Sequence, residues 1–276
     1  MKSNMDTKQI IFGLAAIIAV TFLLSSCKSK SNSADKQQTV QDTDSLKAVF
    51  QSDADTFHAD AQGEIEVSIY CIGHATMAIC ADGKWLYIDA NTSILKPGAD
   101  YSSMPKADYM LFTHSHGDHF DRKAVELLSQ ESTQIVANPE TAGTLGYGNV
   151  LRNGESFTTA ECWTIDAVPA YNTSADKLQF HPQGRDNGYI LTIGDLRIYI
   201  AGDTENIPEM ADVKDIDIAF LPCNLPYTMT PQQCADAAGT IMPKILFPYH
   251  YSDTEIRQVA ELLDGTGIDV RIRQYQ

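Results

Sequence analysis

The sequence predicts a layered α/β fold. Short apolar or alternating runs of strand length recur along the chain, runs with helical spacing stand between some of them, and no internal repeat of fixed period suggests a solenoid. The first strand is Glu66 to Gly73, and the run Trp85-Leu86-Tyr87-Ile88 reads as another, ending at Asp89. Ala107 to Phe112 is a continuous apolar run of the kind a buried strand shows, and Asp121 to Leu128 then changes to helical spacing, with Asp121 placed as an N-cap. Strands follow at Gln134–Ala137, Thr164–Asn172, Tyr189–Ile193, Leu196–Ala201, Ile216–Leu221, Lys244–His250 and Asp269–Arg273. Helices are predicted over Pro231–Ile241, where Thr230 precedes Pro231 as an N-cap, and over Asp253–Leu263.

The densest chemistry lies between the Ala107–Phe112 strand and the helix after it. Residues 113–121 hold three of the chain's seven histidines, as His114-Ser115-His116-Gly117-Asp118-His119, with Asp121 behind them. In an extended segment residues two apart face the same way, so His114 and His116 can present imidazoles to one point. Gly117 is expected to take a backbone geometry closed to other residues and so turn Asp118 and His119 toward a second point. Nitrogen and carboxylate donors in this ratio suit a divalent metal, zinc first, with manganese or iron possible, as one or two ions per chain. A loop held at both ends by packed elements can keep such groups fixed and exposed at once. Two more candidates stand where strands open into loops: Asp203 after Leu196–Ala201 and His250 at the end of Lys244–Tyr249. Either residue alone reads equally well as a turn cap or a core histidine; a dense cluster elsewhere needs partners from other strands.

The motif His114-x-His116-x-Asp118-His119 resembles the signature of the metallo-β-lactamase-fold hydrolases. Gly73-His74-Ala75-Thr76, Ile88-Asp89, Ala201-Gly202-Asp203-Thr204-Glu205 and Pro248-Tyr249-His250-Tyr251 fall in that family's order, covering Ile65 to the C-terminus. Together they are similar to the branch of ascorbate-phosphate lactonase-like and N-acyl-phosphatidylethanolamine phospholipase D-like proteins. The resemblance implies a four-layer αββα sandwich of two mixed β-sheets flanked by helices. It also implies that His114 and His116 serve one metal, that Asp118, His119 and His250 serve a second, and that Asp203 bridges them. One departure stands out. The family's third histidine for the first metal comes from the end of a middle strand, and here that strand ends in Tyr171-Asn172. Asn172 or Tyr171 can substitute, His181 can reach in from the following loop, or the first site is partly filled.

The remaining candidates surround this set. His74 follows a strand with a glycine end and reads as a hydrogen-bond partner of an Asp ligand, a substrate contact or a plain structural imidazole. Asp89 matches an early Asp of the family that supports the metal loop. Asp118, His74 and Tyr171 are the catalytic candidates, with Asp118 orienting or deprotonating the water. Tyr171, Tyr227 and Met229 are expected to shape an apolar pocket beside the metals. His58 reads as a surface residue. Cys71 and Cys80 can be placed as a cross-strand bridge, although their apolar surroundings favour buried thiols.

The expected activity is metal-dependent hydrolysis, a metal-activated water acting on a small-molecule ester, lactone, amide or phosphodiester. The alternative is a non-catalytic metal- or ligand-binding lipoprotein of the same fold. Twenty Lys and Arg stand against 36 Asp and Glu, a formal charge of −16, which argues against a nucleic-acid partner. At the N-terminus Lys2 and Lys8 flank an apolar run from Ile10 to Leu24, short for a membrane span and suited to a secretory signal. Leu24-Ser25-Ser26-Cys27 resembles a lipobox, with Cys27 acylated. The expected organisation is therefore a signal peptide over 1–26, a solvated tether and lead-in over 27–60, and a hydrolase domain over 61–276. The domain would hang in the bacterial cell envelope from a lipid anchor, facing the periplasm, with membrane contact only through Cys27.

Overall fold

The computed structural model describes residues 54–60, 64–95 and 100–274, and within them the strands form two seven-stranded sheets. The first holds β1 (Asp55–His58), β2 (Glu66–Gly73), β3 (Thr76–Ala81), β4 (Lys84–Ile88), β5 (Tyr109–Phe112), β6 (Gln134–Ala137) and β7 (Asn149–Val150) side by side in chain order. The second holds β8 (Ser156–Thr158), β9 (Thr164–Ala170), β10 (Asp186–Ile193), β11 (Leu196–Ile200), β12 (Ile218–Pro222), β13 (Ile245–Tyr249) and β14 (Asp269–Val270), again in sequential order. In each sheet the first four strands pair antiparallel and the rest parallel. Both sheets are therefore mixed, as the resemblance implied.

Side-chain alternation builds the layers. On β2 and β3, Val67, Ile69, Met77 and Ile79 enter a core shared with Ile165, Tyr189, Leu191, Ile198 and Ile200 of the second sheet. Their neighbours Tyr70, Ile72, Ala78 and Cys80 face the other way, against α1 (Arg122–Leu128) and α2 (Pro139–Leu145) through Val125, Leu128 and Leu145. Small residues of α3 (Pro231–Ile241), Ala235, Ala237 and Ala238, let that helix lie close on the second sheet. Each fully buried branched aliphatic in these layers contributes about 2 kcal/mol.

Helix α1 starts where its cap is, with the Asp121 carboxylate accepting from the Lys123 N–H at 2.9 Å. At α3 the Thr230 hydroxyl accepts from the Gln233 N–H and the Gln233 side chain accepts from the Thr230 N–H, a capping box. Helix α2 is absent from the sequence-based reading, yet its signals are there: Asn138 caps it, Pro139 opens it and Gly146, at φ 91°, closes it.

Several boundaries are corrected. The lead-in given as residues 27–60 ends in β1, which pairs with β2, and Asp55 accepts from Arg273 at 2.6 Å and from Arg271 at 3.1 Å, so the folded body begins before residue 61. The helix expected over Asp253–Leu263 shortens to α4 (Arg257–Leu262), because Ser252 at φ 43° and a turn at Tyr251–Thr254 occupy its start. Cys71 and Cys80 stand opposite Met77 and Ser68 and are not bridged to each other. Cys27, the signal segment and most of the tether lie outside the described residues.

Candidate metal centre

The cluster collects at one rim of the sandwich, where strands β4, β5, β11 and β13 run out into loops. Asp89 follows β4, His114 comes just after β5, Asp203 after β11 and His250 directly after β13, while His74 sits in the β2–β3 turn. Three of these, His74 (φ 50°), Asp89 (φ 46°) and His250 (φ 48°), adopt left-handed backbone conformations, each a cost on the order of 1 kcal/mol that surrounding contacts must offset. One such contact is the His250 N–H donating to the His74 carbonyl at 3.1 Å.

Two groups of donors share Asp203. In one, His114, His116 and His181 bring ring nitrogens together; in the other, His74, Asp118, His119 and His250 do the same with a carboxylate. The Asp203 carboxylate lies 3.3 Å from His181 Nε2, 3.4 Å from His250 Nε2 and 3.4 Å from His119 Nε2. His119 Nε2, both ring nitrogens of His181 and of His250, and one Asp203 oxygen are buried with no hydrogen-bond partner. Orphaned buried polar atoms cost free energy unless something satisfies them, and nitrogen and oxygen donors converging at this spacing fit a divalent ion, or two.

Asp89 organises the cluster from behind. It is fully buried and accepts from the Thr113 N–H at 2.8 Å, the Thr113 hydroxyl at 2.7 Å and His119 Nδ1 at 2.8 Å. That last bond places the His119 proton on Nδ1 and leaves Nε2 as the free donor. Without a cation, burial works against a charged His119, yet Asp203 and Asp89 outweigh it and raise the imidazole well above the usual histidine value, so a cation at Nε2 would take the place of a proton there. Burial pushes His114, His116 and His74 down, so these rings stay neutral and available to a cation. Asp118 and Asp203 are held well below the usual carboxylate range: burial opposes ionisation, but His250 and His74 outweigh it at Asp118, and His250 and His119 do so at Asp203.

His181 reaches the cluster because its loop is tied down. Asn172 donates from Nδ2 to the Tyr227 carbonyl at 2.7 Å and to the Lys177 carbonyl at 3.2 Å, and its own N–H donates to the His181 carbonyl at 2.8 Å. Fully buried Glu205 accepts from the Thr173 N–H, the Ser174 N–H and hydroxyl, and Lys177 Nζ at 2.8 Å. Lys177 Nζ also donates to the Thr228 carbonyl, tying this loop to the one before α3. Glu205 and Lys177 are absent from the sequence-based candidates; the charged residue two places after Asp203, in an otherwise buried strand end, was the available signal.

Of the three remedies for the missing strand-end histidine, geometry brings in His181. Asn172 Nδ2 donates to loop carbonyls, and its buried Oδ1 has no hydrogen-bond partner among the described residues, but the residue lies outside the cavity lining. The Tyr171 hydroxyl, offered as a catalytic group, instead donates to Glu209 at 2.8 Å, and Tyr171 lies in the core rather than on the pocket wall. Met229 is likewise fully buried, whereas Tyr227 does line the pocket. Gly117 differs from expectation too. Its φ is not positive and a Cβ there would meet nothing within 4 Å, because a helical turn closed by His119 N–H and Phe120 N–H onto the His116 carbonyl, open to any residue, aims Asp118 and His119. The glycine that the site requires is Gly202, at φ 66°, where a Cβ would come 2.7 Å from the Asn187 carbonyl. His74 meets Asp118 at 3.0 Å, while His58 lies on β1, away from the cluster.

Residues 68–250 match a family model described as a beta-lactamase superfamily domain. A UPF0173 metal-dependent hydrolase of Thermococcus kodakarensis is 32% identical over 194 residues, which cover 67% of this chain and 85% of that relative. A solved protein of Parabacteroides distasonis, described as a candidate metal-dependent hydrolase, superposes with a TM-score of 0.77 at 48% identity, covering 81% of this chain and 99% of its own. A metallo hydrolase from Ignicoccus hospitalis has the same fold, with a TM-score of 0.64 at 23% identity over 75% of this chain and 95% of its own.

Proposed function

This chain belongs to the beta-lactamase superfamily as one of its metal-dependent hydrolases, and on that premise we propose that it cleaves a small-molecule ester, lactone, amide or phosphodiester with water activated at the described cluster. The observation that carries the reading is the convergence of orphaned, buried nitrogens and a carboxylate oxygen on a cavity of about 330 Å³ that opens to solvent. His114, His116 and His181 would hold one ion, Asp118, His119 and His250 a second, with Asp203 between them; zinc suits this donor set best. A divalent ion supplies a lowered water pKa, from about 15.7 toward 7, and positive charge for a developing oxyanion.

The chain's own residues supply the orientation. Asp89 fixes the tautomer of His119, and Thr113 ties that carboxylate to the strand end. Asp118, half exposed and gripped by His74, points an ionised oxygen into the cavity. Held by His74 at 3.0 Å and lining the cavity, Asp118 is placed to orient the attacking water or take its proton. The acidic composition and a pocket lining without Lys or Arg among the described residues support a small substrate over nucleic acid. Kinship to the lactonase-like and phospholipase D-like branch, and an envelope location through acylated Cys27, belong to the same proposal and rest on the sequence motifs.

The test is elemental analysis with a hydrolase panel. His116→Ala and Asp203→Ala should each lose metal and at least about 100-fold in activity, as removal of metal ligands and their supports does elsewhere, while His58→Ala keeps both. Equal metal content in all three variants would remove the assignment.

A further inference from the structure

Two aromatic side chains stand in the wall of the cavity, among its polar lining. Phe180 and Tyr227 line the cavity and meet edge to face at 5.0 Å between ring centroids. Beside them on the same two loops stand Leu178, 47% exposed, and Leu225, 46% exposed, with Tyr227 itself 44% exposed. Large apolar side chains scattered singly over a surface need no explanation, whereas several close together on the two loops that supply Phe180 and Tyr227 to one cavity are a candidate binding surface. The two loops that carry them are not loose: Asn172 joins the Lys177 and Tyr227 carbonyls, and Lys177 joins Glu205 to the Thr228 carbonyl. The wall is thus fixed in place before any ligand arrives, which lowers the ordering cost of binding.

The lining also says what it does not take. Among the described residues, no Lys or Arg lines the cavity. Arg185, next to His116 at 3.4 Å, spends its guanidinium on both oxygens of Asp186 at 2.8 Å and on the Phe180 carbonyl. Among the described residues, an anionic group distant from the scissile bond would find no unpaired side-chain cation there. We infer that Phe180, Tyr227, Leu178 and Leu225 select a substrate whose hydrolysed bond carries an uncharged alkyl or aryl group of several carbons, seated on this wall. The inference rests on the hydrolase reading for the word substrate, and on the wall alone for the apolar group. Asn224, in the same lining, is the polar contact available to the oxygen or nitrogen beside that group.

Calorimetric titration of the full-length protein with the uncharged straight-chain amides acetamide, butanamide, hexanamide and octanamide tests the wall directly, on zinc-loaded and on chelator-treated protein in parallel. Affinity should rise about two- to fourfold per added methylene in both forms, up to the limit for full burial of each CH₂. Tyr227→Ala and Leu225→Ser, at positions 44% and 46% exposed, should each flatten that rise with an unchanged melting temperature, as should Phe180→Ala. A flat series in the unaltered protein overturns the inference whatever the metal does. A rising series combined with failure to bind zinc would leave the wall standing and remove the hydrolase reading instead. Neutral phosphatidylcholine vesicles that pellet the unaltered protein and not the Leu225→Ser variant, together with a flat series, would assign the rim to a lipid surface and overturn the inference as well.

Discussion

Replacing Lys177 with Met isolates the ion pair that holds the His181 loop. Glu205 is fully buried, the Lys177 side chain is 11% exposed, and their charges stand 2.8 Å apart. The remaining partners of Glu205 are neutral donors from Thr173 and Ser174, so the variant leaves a desolvated carboxylate with hydrogen bonds and no counter-charge. Burial alone would raise this carboxyl, but Lys177 and the Ser174 and Thr173 donors outweigh it and bring it from 4.5 to about 2. A shift of that size corresponds to at most about 3 kcal/mol, and screening at the partly exposed ammonium reduces it to about 2 kcal/mol. Because the folded value is depressed, the stabilisation is complete above pH 4.5 and is lost as pH falls toward 2. Because the Ser174 and Thr173 donors remain and supply part of that shift, Lys177→Met should open the loop more often at neutral pH by up to about thirtyfold. Hydrogen exchange at the Thr173 and Ser174 amides reads that opening, and chelator competition should show faster loss of the ion at His114, His116 and His181. The gap between variant and parent should begin to close below pH 4.5. Unchanged exchange at both amides, or a gap indifferent to pH, would refute the account of this loop.

His181→Ala should lower occupancy of the first group of ligands, measured by elemental analysis after mild chelation. Asn172→His should not restore it, and should cost about 1–3 kcal/mol in denaturant unfolding, because it gives up the bonds to Lys177 and Tyr227. Gly202→Ala should destabilise by more than about 1 kcal/mol, since its φ is 66° and a Cβ would strike the Asn187 carbonyl, while Gly117→Ala should leave the melting temperature unchanged. Cys27→Ala should move the protein from the detergent phase to the aqueous phase, because an acyl chain contributes about 0.8 kcal/mol per buried CH₂; identical partitioning of variant and parent would count against a lipid anchor.

What the sequence made legible follows from where each residue sits in a repeating pattern. Strands β2 and β5 and helix α3 were readable because run length or caps marked them: Val67 to Ile72 and Tyr109 to Phe112 are short, largely apolar runs, and Thr230-Pro231 with Gln233 announces a helix start. His114, His116, Asp118 and His119 were readable because they crowd one loop, and Asp203 and His250 because each ends a strand of recognisable pattern. His181 has neither advantage. It ends a turn-rich segment with no periodicity, so its place depends on contacts that no local rule encodes, from Asn172 at the strand end and Glu205 beyond the next hairpin. The same gap misplaced Tyr171. The alternation of β9 reaches Ala170 and stops, and beyond that point the direction of a side chain is set by its partner, here Glu209, and not by parity. Gly117 shows the converse: a glycine between ligands suggests a special backbone, yet an ordinary helical turn suffices, and the strained positions fall on His74, Asp89 and His250. Strain of that kind is invisible in composition because the residues that bear it are retained for their side chains. The site is therefore written in two registers: donors carried by strand ends, which a pattern can find, and a loop-borne donor whose position exists only once the buried Glu205–Lys177 pair has formed.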